Sequence, residues 1–333
     1  MRDIARAARV SLITVSRALN PATAHRVKAS TRARIEREAL ARGYRVNQYA
    51  RALRSGRARS LALLFPPSPH FAASEYYAQV VFSTVNAAYD VAYDVKVHVM
   101  RSKETTINDF DDMGVDGIIL AGFSDGIRQV LAQAPTLPVV LLNSAHVPGR
   151  PAVDADNVHG GQLAAEHLLA FAHERFGVLA GPAYSPNARD RLRGFTETLA
   201  RYGVSLPQEQ VETCDFGVEE GRRAAQSLLK RAPHITALFC ASDELAIGAL
   251  QTARSLGLQC PADISIVGFD NISASALTLP PLTTIEQPIA EMCARCVTVL
   301  LELLGGGKPR QRHLMPVRLV TRASVAPPRP ASS

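Results

Sequence analysis

Residues 11–20 read Ser-Leu-Ile-Thr-Val-Ser-Arg-Ala-Leu-Asn, a short helix with one polar and one apolar edge. Ser11 is placed to cap it, and Asn20-Pro21 ends it. A first helix is expected over residues 1–8, with Ile4, Ala5 and Ala8 on one face. A tight turn follows at Arg9-Val10. The helix over residues 12–19 turns Val15 and Leu19 inward. A third helix starts after Ser30, buries Ile35, Ala39 and Leu40, and stops at Gly43. Helix, short turn, helix and supporting helix is the helix-turn-helix layout.

Charge reinforces that reading. Residues 1–60 hold 15 Lys and Arg against three acids, Asp3, Glu36 and Glu38, a net charge of +12. The remainder carries 22 basic and 27 acidic residues, a net charge of −5. A compact basic head suits a nucleic-acid backbone. The acidic body must do something else.

With 333 residues, 47% of them apolar and 20% charged, the chain is long and apolar enough for two or three globular domains. No run of eighteen apolar residues indicates a membrane span. The start, Met1-Arg2-Asp3-Ile4-Ala5-Arg6, lacks the apolar stretch of a secretory signal, so a cytoplasmic protein is expected. Cys293 and Cys296 form a C-x-x-C, but with no second pair or His cluster they read as small residues on an apolar helix.

From Ser60 onward, β-rich runs alternate with helical stretches. Runs at 61–65, 95–99, 117–120 and 138–142 precede a second series at 176–180, 237–240 and 264–267. Helices are expected over 77–89, 161–172, 189–202, 218–230 and 245–256. Alternation of this kind builds parallel sheets covered by helices. Two such halves in tandem leave a cleft at the carboxyl ends of their strands, where ligands of open α/β sheets bind.

The chain resembles the bacterial transcription regulators typified by the lactose, galactose and purine repressors. The resemblance runs over residues 1–325. Its motifs are Asp3-Ile4-Ala5, Val10-Ser11, Thr14-Val15-Ser16-Arg17-Ala18-Leu19-Asn20 and Gly43-Tyr44 in the head. Asn47 and Ala50-Arg51-Ala52-Leu53 follow. Farther on come Asp156-Asn157, Gly160-Gly161, Arg191-Leu192-Arg193-Gly194-Phe195, Ser242-Asp243, Gly268-Phe269-Asp270-Asn271 and Pro281-Leu282-Thr283-Thr284-Ile285.

The implied fold is α/β: a three-helix headpiece plus a periplasmic-binding-protein-like core of two doubly wound parallel-sheet subdomains. The expected headpiece is 1–45 and the hinge helix or linker 46–59. The effector-binding and dimerisation domain is 60–325, divided as 60–156 plus 284–315 and 157–283 plus 316–325. A disordered tail, 326–333, ends the chain. Arg9 departs from the family, which has Gly in that turn; a positive φ there would cost Arg about 1 kcal/mol.

A recognition helix reads bases with its first residues. Leu12 and Ile13 offer apolar contact to thymine methyl groups, and Arg17 suits a guanine or a phosphate. Ser11, Thr14 and Ser16 suit phosphate oxygens. Asn20, Asn47 and Ala50 complete the expected DNA-binding set by resemblance. So does Leu53, as a minor-groove wedge. In the cleft, the resemblance implies Arg191 and Asp270 as ligand clamps, Phe216 as a stacking ring, and Asn143, Ser242, Gln287, Tyr76 and Tyr77 as further contacts. An Arg-Asp pair with aromatic walls favours a sugar or a related polyol, and a nucleobase or sugar phosphate also fits.

The expected protein is therefore a ligand-responsive, sequence-specific transcription regulator, a repressor. It binds double-stranded, near-palindromic operator DNA as a homodimer, with a sugar or sugar derivative as effector. No cofactor, no metal, no membrane partner and no enzymatic activity are expected, since the chain has no phosphate-binding G-x-x-x-x-G-K-[ST] loop and its His159 and His167 are scattered. The alternative is a cytoplasmic sugar-binding protein related to transport binding proteins. The basic head argues against it.

Overall fold

A computed structural model describes residues 1–19, 23–44, 57–67, 71–100, 113–122, 131, 137–144 and 147–329. They fall into two compact units, Met1–Ala58 and Arg59–Ser333.

In the first unit, helices α1 (Arg2–Ala7), α2 (Leu12–Ala18) and α3 (Ala29–Ala41) enclose a small core of Ile4, Ala5, Ala8, Val15, Ala18, Ile35 and Ala39. Leu40, expected on the inward face of α3, is 84% exposed. Ile35 and Ala39, one turn apart, set the buried stripe, and Leu40 lies about 100° beyond it. The same closing motif ends α1 and α3. Gly43 takes a left-handed φ of 57° while its N–H bonds to Leu40 O and the Tyr44 N–H reaches back to Ala39 O. Arg9 repeats this with φ 49°, its N–H on Arg6 O and the Val10 N–H on Ala5 O. Both are Schellman caps, and only one has the residue that adopts this φ without strain.

Among the described residues, the second unit holds two six-stranded sheets. The first contains β1 (Ser60–Phe65), β2 (Asp94–Val99), β3 (Gly117–Ala121), β4 (Val139–Leu142), β5 (Ala152–Ala155) and β11 (Arg312–Met315), in the order β11-β5-β4-β3-β1-β2. Every pairing in it is parallel. The second contains β6 (Phe176–Leu179), β7 (Val211–Glu212), β8 (Ala237–Cys240), β9 (Ser265–Asp270), β10 (Thr283–Glu286) and β12 (Arg318–Val320), ordered β12-β10-β9-β8-β6-β7. Only β12 runs antiparallel. Strands β1, β3, β4, β6, β8 and β9 are buried along their whole length, as strands covered on both faces must be. This explains why their sequences are continuous apolar runs.

The described helices of this unit are α4 (Glu75–Asp90), α5 (Asn157–Ala170), α6 (Pro186–Arg201), α7 (Val218–Arg231), α8 (Asp243–Ser255), α9 (Ser273–Leu277) and α10 (Ile289–Leu304). α4 and α10 cover the first sheet, and α10 buries Cys293 and Cys296 in its core. Both thiols are free, and burial pushes that of Cys293 up to about 11.

Two boundaries differ from the expectation. The chain returns to the first subdomain after β10, not at residue 284, because β10 pairs with β9 from Thr283↔Val267 to Glu286↔Asp270. The expected disordered tail is fastened through Arg329. The Ala326 N–H bonds to Ser265 Oγ at 3.0 Å, and Ala326 O lies 2.9 Å from His173 Nε2. Arg329 pairs with Asp263 at 2.6 Å. Those partners lie far away in sequence, and the Pro-rich composition of the segment gives no sign of them.

Candidate functional site

The headpiece presents α2. Ser11 Oγ accepts the Thr14 N–H at 3.1 Å and lies 2.9 Å from Thr14 Oγ1, so the expected cap forms and orders the first turn. Just inside that cap, Leu12 and Ile13 are 44% and 63% exposed, side by side with exposed Arg17. Leaving two aliphatic side chains in water at a helix start forgoes burial worth about 1.5–3 kcal/mol each. Thr14 and Ser16 are half-buried beside them. Asn20, Asn47, Ala50 and Leu53 lie outside the described residues.

The second unit gathers polar side chains at the carboxyl ends of β4, β8 and β9. A close helix contact brings Arg191 there. α5 and α6 meet at Gly161 and Gly194; a Cβ on Gly161 would sit 2.1 Å from Arg191 O, and one on Gly194 2.0 Å from Val158 O. No larger residue permits that backbone approach. Arg191, 4% exposed, donates from Nε to Asn157 Oδ1 at 2.8 Å and from Nη1 to Ala241 O at 2.5 Å. The same Nη1 lies 3.4 Å from Asp270 Oδ1, and the guanidinium stacks 3.8 Å above the Phe269 ring.

Asp270 ends β9 with φ 119°, a strained backbone of the kind that clusters at binding sites. Gln287 Nε2 donates to its Oδ1 at 2.5 Å. Asn143 Nδ2 in turn donates to Gln287 Oε1 at 2.7 Å and to the Tyr76 hydroxyl at 2.8 Å. Asn143 Oδ1 accepts the Ala155 N–H at 3.1 Å. Six side chains thus form one hydrogen-bonded chain, Tyr76–Asn143–Gln287–Asp270–Arg191–Asn157, running from the first sheet to the second.

Burial, only partly offset by Arg191 and the Gln287 hydrogen bond, pushes the Asp270 carboxyl up to about 7. Burial also drives the Tyr76 phenol upward, so it stays a neutral donor and acceptor. Arg191 is pulled down by burial and pushed back mainly by Asp270.

The remaining expected residues have local partners of their own. Ser242 Oγ caps α8 by accepting the Leu245 N–H at 3.2 Å. Phe216 packs its ring edge over Gly181, beyond the end of β6. It is half-buried, and the preceding Asp215 accepts the Tyr184 hydroxyl at 3.2 Å. Tyr77 packs edge-on against Phe65 and tilted against Phe71, ring centroids 5.2 and 5.3 Å away, in an aromatic cluster at the end of β1. Tyr77 also meets Tyr76 of the polar chain edge-on, ring centroids 5.7 Å apart.

Sequence reasoning gave no role to Asn157, Asn187 and Phe269. Asn187 Nδ2 donates to Asn143 O at 2.9 Å, and its Oδ1 lies 3.3 Å from Asn157 Nδ2. Its position four residues before Arg191 on α6 puts both on one helix face, a signal the sequence does contain.

Residues 1–47 match the family described as "Bacterial regulatory proteins, lacI family", and residues 165–325 match "Periplasmic binding protein-like domain". The chain is 33% identical over 331 residues to the HTH-type transcriptional repressor CytR of Escherichia coli (strain K12), covering 98% of this chain and 96% of that protein. A lac repressor dimer bound to operator and the anti-inducer ONPF superposes with a TM-score of 0.86 at 28% identity, over 97% of this chain and 98% of that one. The complex of the transcriptional regulator CelR with cellobiose gives 0.74 at 27% identity, with the same coverage.

Proposed function

This chain belongs to the lacI family of bacterial regulatory proteins, transcription regulators that join a helix-turn-helix head to a ligand-binding core, and on that premise we propose that it is a cytoplasmic, homodimeric repressor released from or held on its operator by a small sugar. The observation that carries the effector assignment is the chain of hydrogen bonds crossing from Tyr76 and Asn143 to Asp270 and Arg191. Hydroxyl groups can both donate to Asp270 and accept from Arg191, so a polyol replaces these internal bonds one for one. A phosphorylated sugar fits less well, because the Arg191 guanidinium already faces Asp270 and the Glu244 carboxylate lies close by. The cellobiose of the CelR complex has the chemistry this site favours.

In the head, capped α2 supplies the major-groove reader, with Leu12 and Ile13 on thymine methyl groups and Arg17, Ser11, Thr14 and Ser16 setting register. The hinge residues Asn47, Ala50 and Leu53, together with Asn20, complete this interface. Dimerisation is supported by a stripe on α4, where Phe82, Val85 and Tyr89 are 70%, 40% and 81% exposed, and by Leu277 and Leu279 at 81% and 90%.

Fluorescence anisotropy on near-palindromic fragments from upstream of the gene tests the DNA assignment. Affinity should fall steeply with salt, with a slope of about −0.9 per phosphate neutralised. A fragment starting at residue 57 that binds the same DNA equally well would overturn it.

A further inference from the structure

Two carboxylates reach across the cleft in opposite directions. Glu75 opens α4 on the first subdomain. Its Oε1 accepts the Ser273 N–H at 2.7 Å and its Oε2 the Ala274 N–H at 3.1 Å, both on the second subdomain. Glu244, on the first turn of α8 in the second subdomain, returns the contact: its Oε1 accepts the Glu75 N–H at 3.1 Å. Glu75 is thus acceptor through its side chain and donor through its backbone.

These donors need outside partners. The first N–H groups of a helix have no acceptor within it. The Glu75, Ser273 and Ala274 N–H groups all occupy such positions in α4 and α9. Bonds from N–H groups to a carboxylate are among the stronger ones. Although burial alone would raise it, the Glu75 carboxyl is held below its usual range by Ser273 and Ala274.

Each member also adjoins a residue of the polar chain or the candidate effector set. Glu75 precedes Tyr76, which bonds Asn143. Glu244 stands two residues after Ser242 and three after Ala241, whose carbonyl holds Arg191. Ser273 lies three residues after Asp270, and the intervening Ile272 N–H is fixed on Asp243 Oδ2 at 2.9 Å.

We propose that Glu75 and Glu244 form a reciprocal latch across the cleft, holding the two subdomains together and setting how readily the cleft opens. They are positioning residues: neither belongs to the Arg191–Asp270 chain, and each acts by where it holds Tyr76 and the segment after Asp270. The inference rests on the reading that this cleft is the one an effector occupies. Its test uses no effector, so failure of either idea is seen separately.

Hydrogen exchange of the full-length chain, read by mass spectrometry, tests the latch in the wild type, E75A, E244A and the double variant. Peptides covering 74–79 and 271–278 report the two ends. Because both ends release together when the subdomains part, either single variant should speed exchange at both ends by about ten-fold, the low end of what a hydrogen bond to a charged group contributes. The double variant should go little further. Exchange in β8 should stay as slow as in the wild type. If E75A speeds only 271–278 and leaves the Glu75 N–H protected, the contacts are independent local caps and the latch is wrong. Unchanged exchange at both ends contradicts it equally. Should E75A lose protection in β8 as well, the isosteric E75Q, which removes the charge and keeps the volume, serves for the same two readings.

Discussion

Arg9 holds a left-handed φ of 49° at a Schellman cap, where a Cβ is crowded by the backbone. The companion cap at Gly43 shows the relaxed solution to the same geometry. Replacing Arg9 by Gly should therefore stabilise the isolated headpiece by about 1 kcal/mol, seen as a higher thermal midpoint; an unchanged or lower midpoint would show that the arginine side chain makes compensating contacts. Asp270 makes a second prediction at this scale. Its folded-state pKa of about 7 lies above the unfolded value near 4. The folded protein thus binds the extra proton between those values, and this stabilising contribution, complete below about pH 4, is lost as pH rises through 7. Urea denaturation across that window should show wild-type stability falling with pH relative to D270N. Parallel profiles would mean that Asp270 titrates normally.

At the scale of elements, the close crossing of α5 and α6 explains why one motif could be read so directly. In Arg191-Leu192-Arg193-Gly194-Phe195 the arginine, the glycine that admits α5, and the buried phenylalanine sit within two turns of one helix. Local spacing carries all of that information. Long strands with unbroken apolar runs were legible for the same reason, and so was the Ser11 cap, whose acceptor and donor are three residues apart. What spacing cannot carry is the choice among distant partners. Thr283-Thr284-Ile285-Glu286 reads as a strand edge, yet nothing within it says which sheet it joins. Asn187 and Asn157 matter only because Asn143 and Arg191 arrive from other segments. Phe216, expected as a stacking ring, packs over Gly181, a partner that its own segment does not announce. The outer stripe of α4 yields a prediction of its own: Phe82→Glu puts a charge at the centre of an exposed apolar face and should convert the proposed dimer to monomer in analytical ultracentrifugation. A dimer of undiminished stability would place the interface elsewhere.

For the whole molecule, function depends on two units of opposite charge character. The basic head offers an electrostatic footprint and a capped reading helix; the body offers a polar chain that links two sheets through Gln287, at the point where the backbone itself crosses between them. An effector that replaces those bonds binds one cleft arrangement better than another, and that difference in affinity is the most it can transmit to the head. On this reading the cleft ligand governs DNA binding. Operator affinity of the full-length chain, with and without a sugar selected by thermal shift, tests it in the wild type and in R191K. Lysine keeps a charge beside Asp270 but loses the planar fork. The sugar should change wild-type operator affinity at least about ten-fold, within the usual range of allosteric coupling. R191K should bind operator as the wild type does and ignore the sugar. An R191K protein that responds to the sugar as fully as the wild type would contradict it.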